Sequence, residues 1–117
     1  MKFQKIIFNQ HNIWIDIIDP TKTELIDFLS EYHFPKHFID DSLEIGHLPK
    51  YDFTENTKFI ISRFVNNFEL NELKSIQEFT SKIAFLVQDH LLITIHRLDV
   101  DFISNINEEY LAYKSFY

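Results

Sequence analysis

The sequence predicts an α/β fold: one α/β/α layered domain with a central mixed parallel and antiparallel sheet flanked by helices. Three observations predict it. Two adjoining segments, over residues 22–32 and 35–46, place apolar residues at helical spacing, whereas six others are short runs of β-branched and aromatic residues. Strands precede and follow the helical pair, and a last helix closes the order β-β-α-α-β-β-β-β-α. Mixed elements of this kind bury their apolar faces by layering helices on a sheet. Finally, 117 residues suffice for one core and not for two, so residues 1–117 form a single domain.

The first strand is expected over 3–8 (FQKIIF). A turn at His11 and Asn12 leads to a second strand over 14–18 (WIDII), whose poor alternation marks a strand buried on both faces. Asp19-Pro20 stops it, because proline restricts the residue before it and cannot donate to a ladder. Thr21 and Glu24 then form a capping box for a helix over 22–32. Leu25, Phe28, Leu29 and Tyr32 fall at i, i+3, i+4 and i+7 and line one stripe. His33-Phe34 breaks that helix. Pro35 suits the first turn of another, with Phe38, Ile39, Ser42 and Leu43 inward, and Gly46 is its expected stop.

A short strand is expected over 51–54, a tight turn over 55–57 and a strong strand over 58–65. Residues 66–74 are polar and asparagine-rich and read as a surface loop. The run 76–87 is strand-like, most clearly over 83–87. Residues 88–90 turn the chain into a strand over 91–96, closing an antiparallel hairpin. A last helix begins at Asp99, with Phe102, Ile103, Ile106, Tyr110 and Tyr113 as its apolar face. Two strand pairings are expected to be parallel. With 13 Phe and 5 Tyr the core is rich in rings, and Tyr51, Phe53, Phe59, Phe64 and Phe85 are assigned to it.

Composition excludes several functions. A net charge of −7 argues against nucleic-acid binding, which needs a cationic face. Acidity of this size is compatible with cation binding without establishing it, and plain solubility is the simpler reading. With no Cys there is no disulfide, thiolate zinc site or thiol nucleophile, and a cytosolic setting fits. No signal peptide is visible, and no run approaches the roughly 18 consecutive apolar residues of a membrane helix, so the chain as given reads as soluble. One glycine cannot build a phosphate-binding loop, and Ser62 and Ser81 lack a nucleophile-elbow setting. The expectation is a protein that is not an enzyme, with no catalytic and no cofactor-binding residues.

Three constellations carry candidate chemistry. Asp40 and Asp41 are adjacent near a helix end, where two carboxylates repel unless a cation is near. They offer oxygen donors to a hard divalent ion such as Mg2+, in a site completed by water or a neighbouring chain. The competing reading is a solvated helix face, with one Asp paired to Lys36. His33, His37 and Asp41, at i, i+4 and i+8, could hold zinc or cobalt, although Pro35 separates His33 from the helix. Asp16 and Asp19 flank the end of the second strand, where a catalytic carboxylate pair is conceivable. No oriented His or nucleophile accompanies them in the sequence, so turn formation and capping are the simpler roles.

The order WIDIIDPTKTELIDFL, IDDSLEIGHLPKYDFTEN, KFIISRF and IAFLVQDHLLITIH resembles the N-terminal cytoplasmic domain of the CorA-type divalent-cation transporters. The likeness covers roughly residues 13–97. Its most telling pieces are Trp14-Ile15-Asp16-Ile17, the acidic pair before Leu43, the Pro49-Lys50 step with Glu55-Asn56, and Leu92-Ile93-Thr94-Ile95-His96. The resemblance implies the cytoplasmic part of a homopentameric Mg2+ and Co2+ transporter, joined to its own stalk and transmembrane helices. None of those later parts is in this sequence, so it reads as an excised domain or a truncated relative, by itself a monomer or weak dimer. The resemblance also implies a regulatory Mg2+ site at a subunit interface, with Asp40 and Asp41 at the matching positions and Co2+ as a second ligand. A zinc-transporting relative of the same fold, or a stand-alone soluble adaptor, are the alternatives.

Overall fold

A computed structural model describes residues 2–7, 11–65 and 80–97. Its elements are β1 (Lys2–Ile7), β2 (Ile13–Ile18), α1 (Lys22–Leu29), α2 (Lys36–Leu43), β3 (Lys50–Thr54), β4 (Thr57–Val65), β5 (Thr80–Gln88) and β6 (Leu91–His96). The six strands form one mixed sheet in the order β1-β2-β6-β5-β4-β3. This is the α/β architecture that the sequence predicts. The expected loop over 66–74 and the last helix from Asp99 lie outside the described residues. Among the described residues one pairing is parallel, β2 with β6, rather than two.

Alternation along the strands assigns the two faces of the sheet. Ile15 and Ile17 of β2, Phe59 and Ile61 of β4, Ala84 and Leu86 of β5, and Ile93 and Ile95 of β6 share one face. They pack there with Leu25, Leu29, Phe38 and Ile39 of the helices. The opposite face gathers Trp14 and Ile83, with Phe64, Phe85 and Leu92 against them. β2 is therefore buried on both faces, as its unbroken apolar run implies. Phe38 stacks on Phe59 with ring centroids 4.6 Å apart and planes 14° apart, pinning α2 to the sheet.

Local chemistry fixes the helix boundaries. The Thr21 hydroxyl accepts from the Glu24 amide at 3.2 Å, and the Glu24 carboxylate accepts from the Thr21 amide at 3.0 Å, so the capping box forms as expected. The first helix tightens into a 3-10 turn at Ser30–Tyr32, and His33 ends it in the left-handed conformation at φ 55°. Gly46 is not the stop of α2. The helix ends at Leu43, Glu44 already has extended backbone, and Gly46 lies two residues further on without a positive φ. Carbonyls freed at this early end, those of Asp41 and Glu44, accept from the Lys82 ammonium instead.

Two aromatic assignments fail. Tyr51 and Phe53 are 63% and 58% exposed. In the edge strand β3, Lys50 and Asp52 pair with Ile61 and Phe59, so alternation gives the polar residues the helix-covered face and the rings the other. Phe59 is fully buried, and Phe64 and Phe85 are half-buried against Trp14 and Ile83.

Candidate metal-binding site

The register that turns Tyr51 outward also builds the site. Lys50 lies on the helix face of β3, and its ammonium reaches Asp41 Oδ2 at 2.7 Å. It also sits 5.6 Å above the Phe59 ring. Arg63 follows Ile61, and Lys82 precedes Ala84, at the same parity on paired strands. Both cations therefore lie where the apolar core ends, beneath the C-terminal turn of α2. The Lys82 ammonium donates to the Asp41 carbonyl at 2.7 Å and to the Glu44 carbonyl. The Arg63 guanidinium donates to the carbonyls of Ile45 and His47 at 3.1 and 3.0 Å. The sheet thus supplies the donors that the helix end lacks, and it fixes the course of residues 44–47.

Asp40 and Asp41 do not converge. Successive helical residues point about 100° apart. Asp40 is exposed and faces Lys22 at 3.2 Å, rather than Lys36. Asp41 turns inward to Lys50, with its second oxygen 3.6 Å from His47 Nε2. Partial burial pushes the Asp41 carboxyl up, but the hydrogen bond and charge of Lys50, with His47 adding, hold it below the ordinary carboxylate value. Burial pushes the Lys82 ammonium down to about 8, with Glu44 opposing and Arg63 reinforcing the shift.

The side chains of Asp41, Glu44 and His47 place their ligating atoms within 4.8 Å of one another. Glu44 and His47 are not singled out by the sequence, because they lie past the last helical residue, where the path of the backbone is set by Lys82 and Arg63 of the sheet rather than by a local repeat. The signal available was the run of three possible ligands at intervals of three residues across a glycine. The other proposed imidazole set does not assemble. His33 caps the preceding turn, while His37 approaches Asp52 at 3.9 Å. An open cleft of about 500 Å3 at the far end of the sheet is lined by His33 together with His11, Glu55, Gln88 and His90.

Asp16 does have an oriented histidine, contrary to the sequence expectation. His96 Nε2 sits 2.8 and 3.0 Å from the two carboxylate oxygens of Asp16. A carboxylate only accepts, so Nε2 carries the proton. Thr94 donates to Asp16 Oδ1 at 2.5 Å and accepts from the Trp14 indole at 2.9 Å. All four residues are at most 5% exposed, so this network is sealed within the far face of the sheet. Asp19 is exposed at the strand end, where its amide donates to the His96 carbonyl at 2.8 Å. The two carboxylates are thus separated into a buried structural group and a turn.

The family model described as "CorA-like Mg2+ transporter protein" matches residues 9–115. No curated protein matches the chain. Among solved structures, the complete CorA magnesium transporter from Methanocaldococcus jannaschii is similar at TM-score 0.68 and 22% identity. That likeness covers 94% of this chain and 33% of the transporter. The soluble domain of the same CorA gives 0.63 at 22% identity, over 84% and 36% of the two chains. The ZntB cytoplasmic domain from Vibrio parahaemolyticus gives 0.65 at 19% identity, over 89% and 41%. The chain therefore spans about a third of the length of the complete transporter whose fold it shares.

Proposed function

Because this chain belongs to the CorA-like Mg2+ transporter family, we propose that it is the cytoplasmic regulatory and scaffold domain of a magnesium and cobalt transporter. The observation that carries this reading is the match of the family model to residues 9–115. The fold shared with the soluble domain of a CorA supports it. No helix among the described residues is long and apolar enough to cross a membrane. In this reading conduction belongs to the stalk and transmembrane helices of the full-length protein. There the domain lies on the cytoplasmic face of the membrane within a homopentamer.

In this reading Asp40 and Asp41 bind Mg2+ weakly, with Co2+ as a second ligand, and so sense the ion at a subunit interface. Hard divalent ions take carboxylate oxygens while keeping waters, and Asp41 presents one oxygen not held by Lys50. A bound ion bridging two subunits favours the closed arrangement. Its loss leaves acidic groups that repel. The shift is limited to the ion's differential affinity for the two states. The domain alone is expected to be a monomer or weak dimer, since in this reading the stalk and membrane helices supply the pentamer contacts; a stable pentamer in light scattering would contradict this.

His47 beside Asp41 favours a second reading, a zinc-transporting relative, because imidazole suits zinc better than magnesium. Uptake assays on the full-length protein with Mg2+, Co2+ and Zn2+ separate the two. Saturable uptake of Mg2+ and Co2+ supports the first, uptake of Zn2+ alone supports the second, and uptake of none removes both.

A further inference from the structure

We propose that Asp41, Glu44 and His47 form an intrachain site for a nitrogen-preferring divalent ion of the Zn2+, Co2+ or Ni2+ class. Three observations carry it. First, the three side chains bring one ligating atom each to within 4.8 Å of the others. His47 Nε2 and Asp41 Oδ1 are 3.6 Å apart. Two ligands held about 2.1 Å from a tetrahedral ion stand roughly 3.4 Å apart, so little movement closes this pair on a metal.

Second, the outer partners aim the donors. His47 Nδ1 lies 2.8 Å from the Leu48 carbonyl, which can only accept. Nδ1 therefore carries a proton, so in the neutral imidazole it is Nε2, on the Asp41 side, that offers its lone pair to an ion, and metal binding displaces any proton that Nε2 holds beside the carboxylate. Lys50 occupies Asp41 Oδ2 and leaves Oδ1 on the His47 side. Third, the backbone carrying the ligands is clamped before any ion arrives. Lys82 holds the carbonyls of Asp41 and Glu44, and Arg63 holds those of Ile45 and His47. Exposed Glu44 supplies the remaining arm, and water completes the coordination.

The imidazole donor distinguishes this site from an oxygen-only Mg2+ site at Asp40 and Asp41. It shares Asp41 with the sensing reading but does not depend on gating, and it is testable on the 117-residue chain alone. Calorimetric titration with ZnCl2, and with CoCl2 followed by visible absorption, is expected to give one ion per chain. His47→Ala and Glu44→Gln are each expected to weaken that binding at least about tenfold. Asp40→Asn is expected to leave it unchanged. Circular dichroism confirms that each variant is folded, and Glu44, being exposed, keeps the test available should His47→Ala not fold. Absence of a Zn2+ isotherm in wild type overturns the proposal, as does binding that survives both substitutions and so belongs to another imidazole. Failure here leaves Mg2+ gating of the full-length protein untouched, so the two readings fall separately.

Discussion

His96 Nε2 meets Asp16 Oδ1 at 2.8 Å across the parallel seam of β2 and β6, with both side chains only 1% exposed. The seam joins strands about 80 residues apart in sequence. Asp16 is the register partner of Thr94, and His96 reaches it from two residues further along the same face. Asp16 thus accepts from both His96 and Thr94. Removing the carboxylate strands two buried donors, which is costlier than losing one exposed pair. Asp16→Ala is expected to destabilise the domain by about 3–5 kcal/mol in urea unfolding. The double variant Asp16→Leu/His96→Leu is expected to lose much less than the sum of its single variants. Additive losses would show that the two residues do not act as a pair.

The two aromatic populations separate by strand parity. Phe59→Ala opens a cavity under Phe38 and is expected to cost about 3–5 kcal/mol. Phe53→Ala, on the exposed side of β3, is expected to stay within about 0.5 kcal/mol. Thermal unfolding of both variants checks this. Equal losses would contradict the register of β3.

The capping box contributes at one exposed position. Thr21→Ala removes the acceptor for the Glu24 amide and is expected to cost about 1 kcal/mol, whereas Thr21→Ser retains it. Differential scanning calorimetry reads the difference, and equal melting temperatures for the two variants would count against the cap.

Lys82 gives stability a dependence on alkaline pH. Its folded-state value is about 8 against an ordinary 10.5. Between these values the unfolded chain holds a proton that the folded chain has released. Unfolding free energy therefore rises with pH through this window, by about 1–3 kcal/mol. Lys82→Met is expected to flatten the rise in urea titrations at pH 7.5, 9 and 10. A wild-type profile as flat as that of the variant would show that burial does not disfavour the charged ammonium.

Much of the fold is legible in the sequence because its signals are local. The Thr21 and Glu24 cap, the stripe of Leu25 and Leu29, and the two-residue turn at Glu55 and Asn56, both at positive φ, each depend on neighbours a few residues away. The site is less legible because its partners are brought together by register. Nothing near Asp41 in sequence announces Lys82, 41 residues on. The parity of Lys50 becomes known only once β3 is paired with β4. The Asp16 network was hidden for a related reason. Trp14 with Asp16, and Thr94 with His96, each show an i, i+2 spacing that places polar atoms on one strand face, but only the β2–β6 pairing joins them. Likewise Gly46 suggested a helix stop from composition, while Lys82 and Arg63 satisfy the carbonyls near the earlier end from the sheet.

The central claim, that this domain reports divalent ions to a pore through Asp41, is tested most directly by transport through the full-length protein at rising cytoplasmic Mg2+. Wild type is expected to shut down as Mg2+ rises, while Asp41→Ala stays open over the same range and Asp40→Ala shifts the midpoint. An Asp41→Ala protein that closes at the same Mg2+ concentration as wild type would contradict the claim.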